Sequence, residues 1–432
     1  MKLLPLAFLL AASSLSARDL MPRPADAYFL PYEADRAPAA PGLYLKEGDR
    51  LAICGDSITE QKMYSRLIET YLTACVPQWR VTCRQYGWGG EQASGFAERM
   101  KRDVLRFHPT VATTCYGMND HRYVPYTAEI GAEYVKNQEE IVRQFKAADV
   151  RVVLGSPGTI GSVPPWVKSA TGTQNDLNLS LLQLRNHDVH IAEAQGIRFA
   201  DVFWPMLTAG FAAQQQYGPG YMITGKDGVH PGWAGQTVMA YAFLQALGLD
   251  GAIGQLTWDA AANTATASPG HEVVGPADGG LKFRSSRYPF CPTPGDLASD
   301  DSMTSAMALI PFHQNLNRFT LTVTHATAPR YQVTWGQATK TFDQAALAKG
   351  INLAAEFPLN PFSAPFEKVS QAVFAKQDYE TRQIKSLFHG PEGAADLALT
   401  AELTEKARAP LAEAVARSVV PVEHVLQVKP LL

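Results

Sequence analysis

A chain of 432 residues, 46% hydrophobic and 18% charged, holds more apolar material than one ordinary domain uses, so two packed units are expected. Its formal net charge of -3 excludes the basic excess of a nucleic-acid footprint, and no run of like charge is long enough to form a tail. Five cysteines, at positions 54, 75, 83, 115 and 291, are an odd number, so at least one stays outside any intrachain disulfide.

Residues 1–17 carry one lysine, then an apolar run too short to span a bilayer, then small residues. This is the pattern of a secretory signal peptide cleaved near Ser16 or Ala17, and it predicts a secreted or periplasmic protein without stable membrane insertion. No cysteine lies near the cleavage region, so no lipid anchor is expected there. Residues 18–48, rich in Pro, Ala and Asp, read as an extended segment wrapping the surface.

From residue 49 the pattern alternates. Strands are predicted at 50–54, 80–86, 110–116 and 151–154, with a short one ending at 200. Helices are predicted at 62–75, 94–107, 129–147, 177–195, 205–216 and 233–247, and a Gly/Pro loop at 156–173. Strands alternating with helices predict a parallel sheet covered on both faces, a three-layer α/β/α domain over 49–250. Cys54 and Cys115 fall in apolar runs and read as buried small hydrophobes. Cys75 and Cys83 flank a turn at Pro77 and would be candidates for pairing in an oxidising compartment.

Beyond 250 the texture changes. Residues 256–266 and 272–285 are strand-like pieces separated by Gly, Pro and Asp, and 317–324 and 331–335 alternate apolar with polar residues, as half-exposed antiparallel strands do. Helical stretches follow at 345–355, 365–384 and 398–416. Residues 251–432 are therefore expected to form a β-rich accessory region followed by helices that can pack back on the first unit.

Four stretches carry chemistry. Gly55-Asp56-Ser57 ends the first strand and opens a helix, at the carboxyl edge where open α/β sheets bind ligands; a helix cap is the plainer use of that serine. Tyr86-Gly-Trp88-Gly-Gly90-Glu91 follows the second strand, and its glycines let backbone N–H groups approach a ligand or simply make a tight turn. Tyr116-Gly-Met-Asn119-Asp120 follows the third, where an Asn amide can point at an oxyanion or form a turn. Asp227-Gly-Val-His230 precedes the last helix. Its spacing sets a carboxylate beside an imidazole, which fixes the tautomer and leaves the other nitrogen as a base. No further ligands cluster nearby, so a metal site is not implied.

In this order, each at a strand end, the four blocks resemble the SGNH/GDSL hydrolase superfamily over roughly residues 48 to 248. The layout is also similar to long secreted members whose β-rich tail carries a segment like Phe342–Ala354. The resemblance implies a flavodoxin-like parallel sheet and a serine esterase without metal or organic cofactor. Ser57 would be the nucleophile, His230 the base and Asp227 its orienter. The oxyanion hole would comprise the backbone N–H of Ser57, that of Gly90 and the side-chain amide of Asn119. Gly90 is preferred to Gly89 because the family's glycine directly precedes the acidic residue, here Glu91. Asp56 and Asp120 would hold loops. The bulky Trp88 is this chain's departure from the common second block.

Export, the lack of a lid-like apolar stretch, and aromatics in the motif loops (Tyr86, Trp88, Tyr116, Tyr123, Trp166, Trp233) favour an acetyl esterase on carbohydrate. Each aromatic has core packing as its plainer role. Trp88, Glu91 and Tyr116 are the candidate substrate contacts. A lipase or thioesterase is the alternative acylhydrolase; a non-catalytic carbohydrate-binding protein on the same fold is the alternative from another class. The expected partner is a small-molecule or polysaccharide acyl ester, with the oligomeric state left open.

Overall fold

The computed structural model describes residues 19–431; the predicted signal peptide lies outside them. Five strands form a parallel sheet: β1 (Arg50–Gly55), β2 (Thr82–Gly87), β3 (Val111–Cys115), β4 (Arg151–Gly155) and β5 (Arg198–Ala200). Their order is β2-β1-β3-β4-β5, the flavodoxin-like arrangement with its switch point beside β1. The alternation of side chains along β1 divides the core. Leu51 and Ile53 face one layer, with Tyr64, Ile68 and Tyr71 of α2 (Tyr64–Ala74) and Val238 and Phe243 of a late helix, Trp233–Ala246. Ala52 and Cys54 face the other, with Phe96 and Met100 of Ala93–Asp103 and Ile141, Val142 and Phe145 of Ala128–Ala147. One turn, α1 (Ser57–Glu60), precedes α2.

The N-terminal segment lies along the helices Gln174–Gln195 and Phe203–Tyr217. Phe29 packs edge-on against Phe211 at 4.9 Å, and the Tyr32 hydroxyl donates to Asn175 Oδ1 at 2.8 Å.

The C-terminal strands are β6 (Ala252–Asp259), β7 (Thr264–Ala267), β8 (His271–Ala277), β9 (Gly280–Ser285), β10 (Arg318–Thr324), β11 (Arg330–Trp335), β12 (Ala338–Asp343), β13 (Ile351–Asn352) and β14 (Val422–Leu431). They form one sheet ordered β13-β10-β6-β7 and another ordered β12-β11-β14-β9-β8. Phe319 of the first stacks on Trp335 of the second at 5.6 Å, so the two inner faces meet. β14 was not anticipated, although Val422, His424, Leu426 and Val428 alternate inward. Residues 398–416 are helical as expected, within Leu397–Ser418, while the stretch predicted as 365–384 is an α-helix, Ser363–Arg382, that continues as a π-helix, Gln383–Phe388.

These late helices cover the outer edge of β2. Lys376 Nζ donates to the Cys83 carbonyl at 2.8 Å, and the Gln85 N–H donates to Glu380 Oε2 at 3.1 Å. Side chains thus occupy backbone groups that an edge strand would leave open. All five cysteines are buried free thiols, so Cys75 and Cys83 do not pair. Among the described residues no helix is long and apolar enough to cross a membrane.

Candidate active site

The site forms at the carboxyl ends of β1, β2 and β3. At Gly55 a Cβ would lie 2.1 Å from Thr59 Oγ1 and 2.9 Å from the Cys115 carbonyl, so only glycine lets β1 turn so tightly into α1. Asp56 caps that turn, its carboxylate accepting the Ile58 N–H at 2.9 Å. Ser57 follows immediately and projects from the turn. Burial pushes the Asp56 carboxyl up to about 7 despite the Ile58 N–H, with Asp120 and Glu91 adding to the rise.

Ser57 Oγ lies 2.8 Å from His230 Nε2, and His230 Nδ1 lies 2.7 Å from Asp227 Oδ2. The other Asp227 oxygen accepts the backbone N–H groups of Val229 and His230 at 2.9 and 2.8 Å. Burial alone would raise the Asp227 carboxyl; the His230 and Val229 N–H groups and the imidazole outweigh it and hold the group below its ordinary value. Asp227 is therefore an anion that orients Nδ1–H toward itself, leaving Nε2 to accept from the serine.

Asn119 is fixed on three sides. Its Nδ2 donates to the Glu91 carbonyl at 3.0 Å, its Oδ1 accepts the Tyr123 hydroxyl at 3.3 Å, and its carbonyl accepts Gln92 Nε2 at 2.9 Å. One amide hydrogen remains for a ligand. The adjoining Asp120 carboxylate spans two loops, accepting the Ala93 and Gly117 N–H groups at 2.9 Å each. Arg122 and Tyr123 hold consecutive left-handed backbones, φ 55° and 57°, a strained turn of the kind concentrated at functional sites.

In the second block, Gly89 donates its N–H to Glu60 Oε2. Gly90 has φ +73° and open space where a Cβ would be, so glycine is required there for conformation rather than room. With the Gly89 N–H occupied, that of Gly90 is the one left to face a ligand.

The expected substrate contacts fare differently. Glu91 is buried in a two-pronged ion pair with Arg99, at 2.5 and 2.7 Å, and also accepts the Tyr116 hydroxyl at 2.9 Å. Tyr116 is fully buried against Phe96. Both are thus struts beneath the loop, a correction to the sequence reading. Trp88 is half-buried, with Arg99 5.2 Å and Lys385 5.3 Å from its ring centre and His389 edge-on at 4.7 Å. Of the six loop aromatics, Trp166 alone is exposed, at 49%; its ring lies 6.2 Å from the His230 ring at an angle of 27°. Glu60 and Lys385 bear on the site and were not singled out in the sequence. Among the described residues no three His, Cys, Asp or Glu side chains gather into a metal-holding group.

A flavodoxin-like sheet with serine, imidazole and carboxylate in line at its carboxyl edge defines the SGNH class of hydrolase folds. Residues 53–238 match the GDSL-like lipase/acylhydrolase family, and the chain carries a domain of that family, hydrolases acting on esters. No curated protein matches the chain. Among solved structures, a gut microbial diltiazem-metabolizing enzyme is similar over nearly the full length, with 22% identity, 90% of this chain and 98% of that one covered, and a TM-score of 0.70. It shares the fold of both the hydrolase domain and the C-terminal region. An acetylxylan esterase from Geobacillus stearothermophilus aligns at 20% identity over 48% of this chain and 97% of its own, with a TM-score of 0.40. An alpha/beta hydrolase from the metagenome of Lake Arreo, Spain, aligns at 23% over 48% and 98%, with a TM-score of 0.39.

Proposed function

We propose that the chain is a secreted or periplasmic serine esterase that removes short acyl groups, acetyl above all, from carbohydrate through an acyl-serine intermediate. The observation that carries the reading is the unbroken hydrogen-bonded line from Ser57 through His230 to Asp227, at 2.8 and 2.7 Å. Ser57 Oγ attacks the ester carbonyl while His230 Nε2 takes its proton, and Asp227 stabilises the imidazolium. The Ser57 N–H, the Gly90 N–H and Asn119 Nδ2 receive the negative oxygen of the tetrahedral intermediate. His230 then returns the proton to the departing alcohol, and water enters by the same route in reverse to release the acid.

Two features favour a sugar alcohol as leaving group. The exposed face of Trp166 beside His230 suits stacking on a saccharide ring. The N-terminal pattern of one lysine, an apolar run and small residues suits export to where polysaccharides are met.

Acetate release from acetylated plant, algal and microbial glycans tests the substrate, and a chain-length series of 4-nitrophenyl esters tests the acyl group. Acetyl esters should turn over fastest, and Ser57→Ala should abolish turnover with the fold intact. A preference for long acyl chains would replace the acetyl reading with a lipase. No labelling of Ser57 by a fluorophosphonate would replace the enzyme with a carbohydrate binder.

A further inference from the structure

The carboxylate of Glu60 joins three parts of the protein that lie far apart in sequence. It closes the single turn that Ser57 opens. Its Oε2 accepts the Gly89 N–H, and its Oε1 accepts Lys385 Nζ at 2.6 Å. Lys385 belongs to the C-terminal region, on the π-helix Gln383–Phe388 that continues the long helix Ser363–Arg382. A π-turn carries an extra residue and so redirects the side chains that follow; such turns recur at functional sites.

The same ammonium packs 5.3 Å from the centre of the Trp88 ring, whose neighbourhood also holds the Arg99 guanidinium at 5.2 Å and the His389 edge at 4.7 Å. His389 is itself anchored, with Nε2 2.7 Å from Asp103 Oδ2. Higher on the same helix, Thr381 donates to Gln85 Oε1 at 3.1 Å, and Gln85 Nε2 donates to the Thr59 carbonyl at 2.6 Å. The C-terminal region thus grips both the serine turn and the Trp88-Gly89-Gly90 loop.

We infer that Lys385 is a positioning residue for the oxyanion-binding loop, acting through Glu60 on Gly89 and so on the adjoining Gly90 N–H. This rests on the serine-esterase reading above. With its ammonium in place, Glu60 is held where Gly89 can donate to it, and the Gly90 N–H that follows is aimed at the developing oxyanion. Without it, the carboxylate turns to solvent and the loop loses its tie. Lys385 and Glu60 side chains are 31% and 25% exposed, so removing the ammonium leaves no fully buried charge unpaired and the fold should persist. An oxyanion contact strengthens in the transition state, so its loosening should appear in kcat rather than in KM. Losing a whole donor costs about 10²–10³ in rate; a donor misaimed but present should cost about tenfold.

The test uses the full chain and the variants Lys385→Met, Lys385→Arg and Glu60→Gln, with 4-nitrophenyl acetate as substrate, a short alkyl boronic acid as tetrahedral mimic, and the Gly89 amide resonance in glycine-labelled protein. Lys385→Met keeps the aliphatic stem against Trp88. It should lower kcat about tenfold with KM within about twofold, weaken the boronic acid in parallel, and move the Gly89 resonance upfield, with Lys385→Arg restoring most of each. Glu60→Gln should move the same resonance, and the Lys385→Met, Glu60→Gln double variant should lose little more than either alone. A normal kcat with an unmoved Gly89 resonance would overturn the inference, as would a KM rise matching the kcat loss that arginine does not repair. Should the wild type ignore both ester and boronic acid, the esterase reading fails instead, and the Gly89 resonance alone decides whether Lys385 holds the loop.

Discussion

Two histidines in the C-terminal sheets should each contribute a loss of stability between pH 7 and pH 5, separable from the opposite contribution of the raised Asp56 and Asp120 carboxyls. The Trp335 indole N–H donates to His424 Nδ1 at 3.1 Å. An indole can only donate, so the His424 proton sits on Nε2 and points at Ser285 Oγ, 3.0 Å away. The Ser285 hydroxyl hydrogen is then left for His271 Nδ1 at 2.8 Å, and the His271 Nε2–H faces the Ile253 carbonyl at 3.0 Å. Every donor has one acceptor, and a further proton on either ring would meet a donor head-on. Burial lowers His271 to about 4, with Arg287 adding to the fall, and lowers His424 to about 3, with His271 adding to it.

The folded-state values lie below the ordinary 6.5, so the unfolded chain takes up protons first as the pH falls. The stability these two rings contribute is nearly complete above pH 6.5 and is lost progressively as the pH falls toward 4 for His271 and 3 for His424. Integrated from pH 7 to pH 5, each ring should cost about 2 kcal/mol, roughly 4 for the pair. Urea unfolding of the wild type and of His424→Asn at both pH values isolates one ring from all other titrating groups. The Asn carbonyl still accepts from Trp335, and the variant's loss over this interval should be about 2 kcal/mol smaller than the wild type's. An identical loss in both proteins would refute the proton-chain reasoning.

Asn119→Ala should lower kcat for an acetyl ester by about 10²–10³ with KM little changed, as steady-state kinetics would read. Asp227→Asn, which removes the anion from Nδ1, should reduce kcat by about 10² or more, and a rate near wild type would detach Asp227 from the reaction. Arg99→Met strands the buried Glu91 carboxylate and should destabilise the fold by about 3–5 kcal/mol in chemical denaturation. Trp166→Ala should raise KM for an acetylated oligosaccharide several-fold while leaving 4-nitrophenyl acetate almost untouched, provided the ring stacks on the sugar as proposed.

The parallel sheet and its motif-bearing ends were legible because strands and helices alternate at ordinary lengths and three of the four motifs sit where an apolar strand stops. The fourth, Asp227–His230, lies instead in the loop between the helices Phe203–Tyr217 and Trp233–Ala246, with no strand leading into it, so its pairing with Ser57 was legible through the family resemblance. The direction of individual side chains at strand ends was not legible. Tyr116 and Glu91 sit in motifs near ligand-binding edges, yet Glu91 turns under the loop to pair with Arg99 of the helix that follows it, and Tyr116 turns with it to donate to Glu91. β14 alternates as a strand should, but its neighbours β9 and β11 lie far back in the chain, so no local pairing signal announced it. Nothing local links Lys385 to Glu60, 325 positions earlier.

The armour over β2 has a practical consequence. A chain cut near residue 250 would retain every motif of the hydrolase domain, yet it would strip Glu69 of Lys376, 3.1 Å away, and leave the Cys83 carbonyl and Gln85 amide as an open seam. Such a fragment should stick to its own kind by strand addition, so minimised versions of this hydrolase would need new charges along that seam before they could stay single.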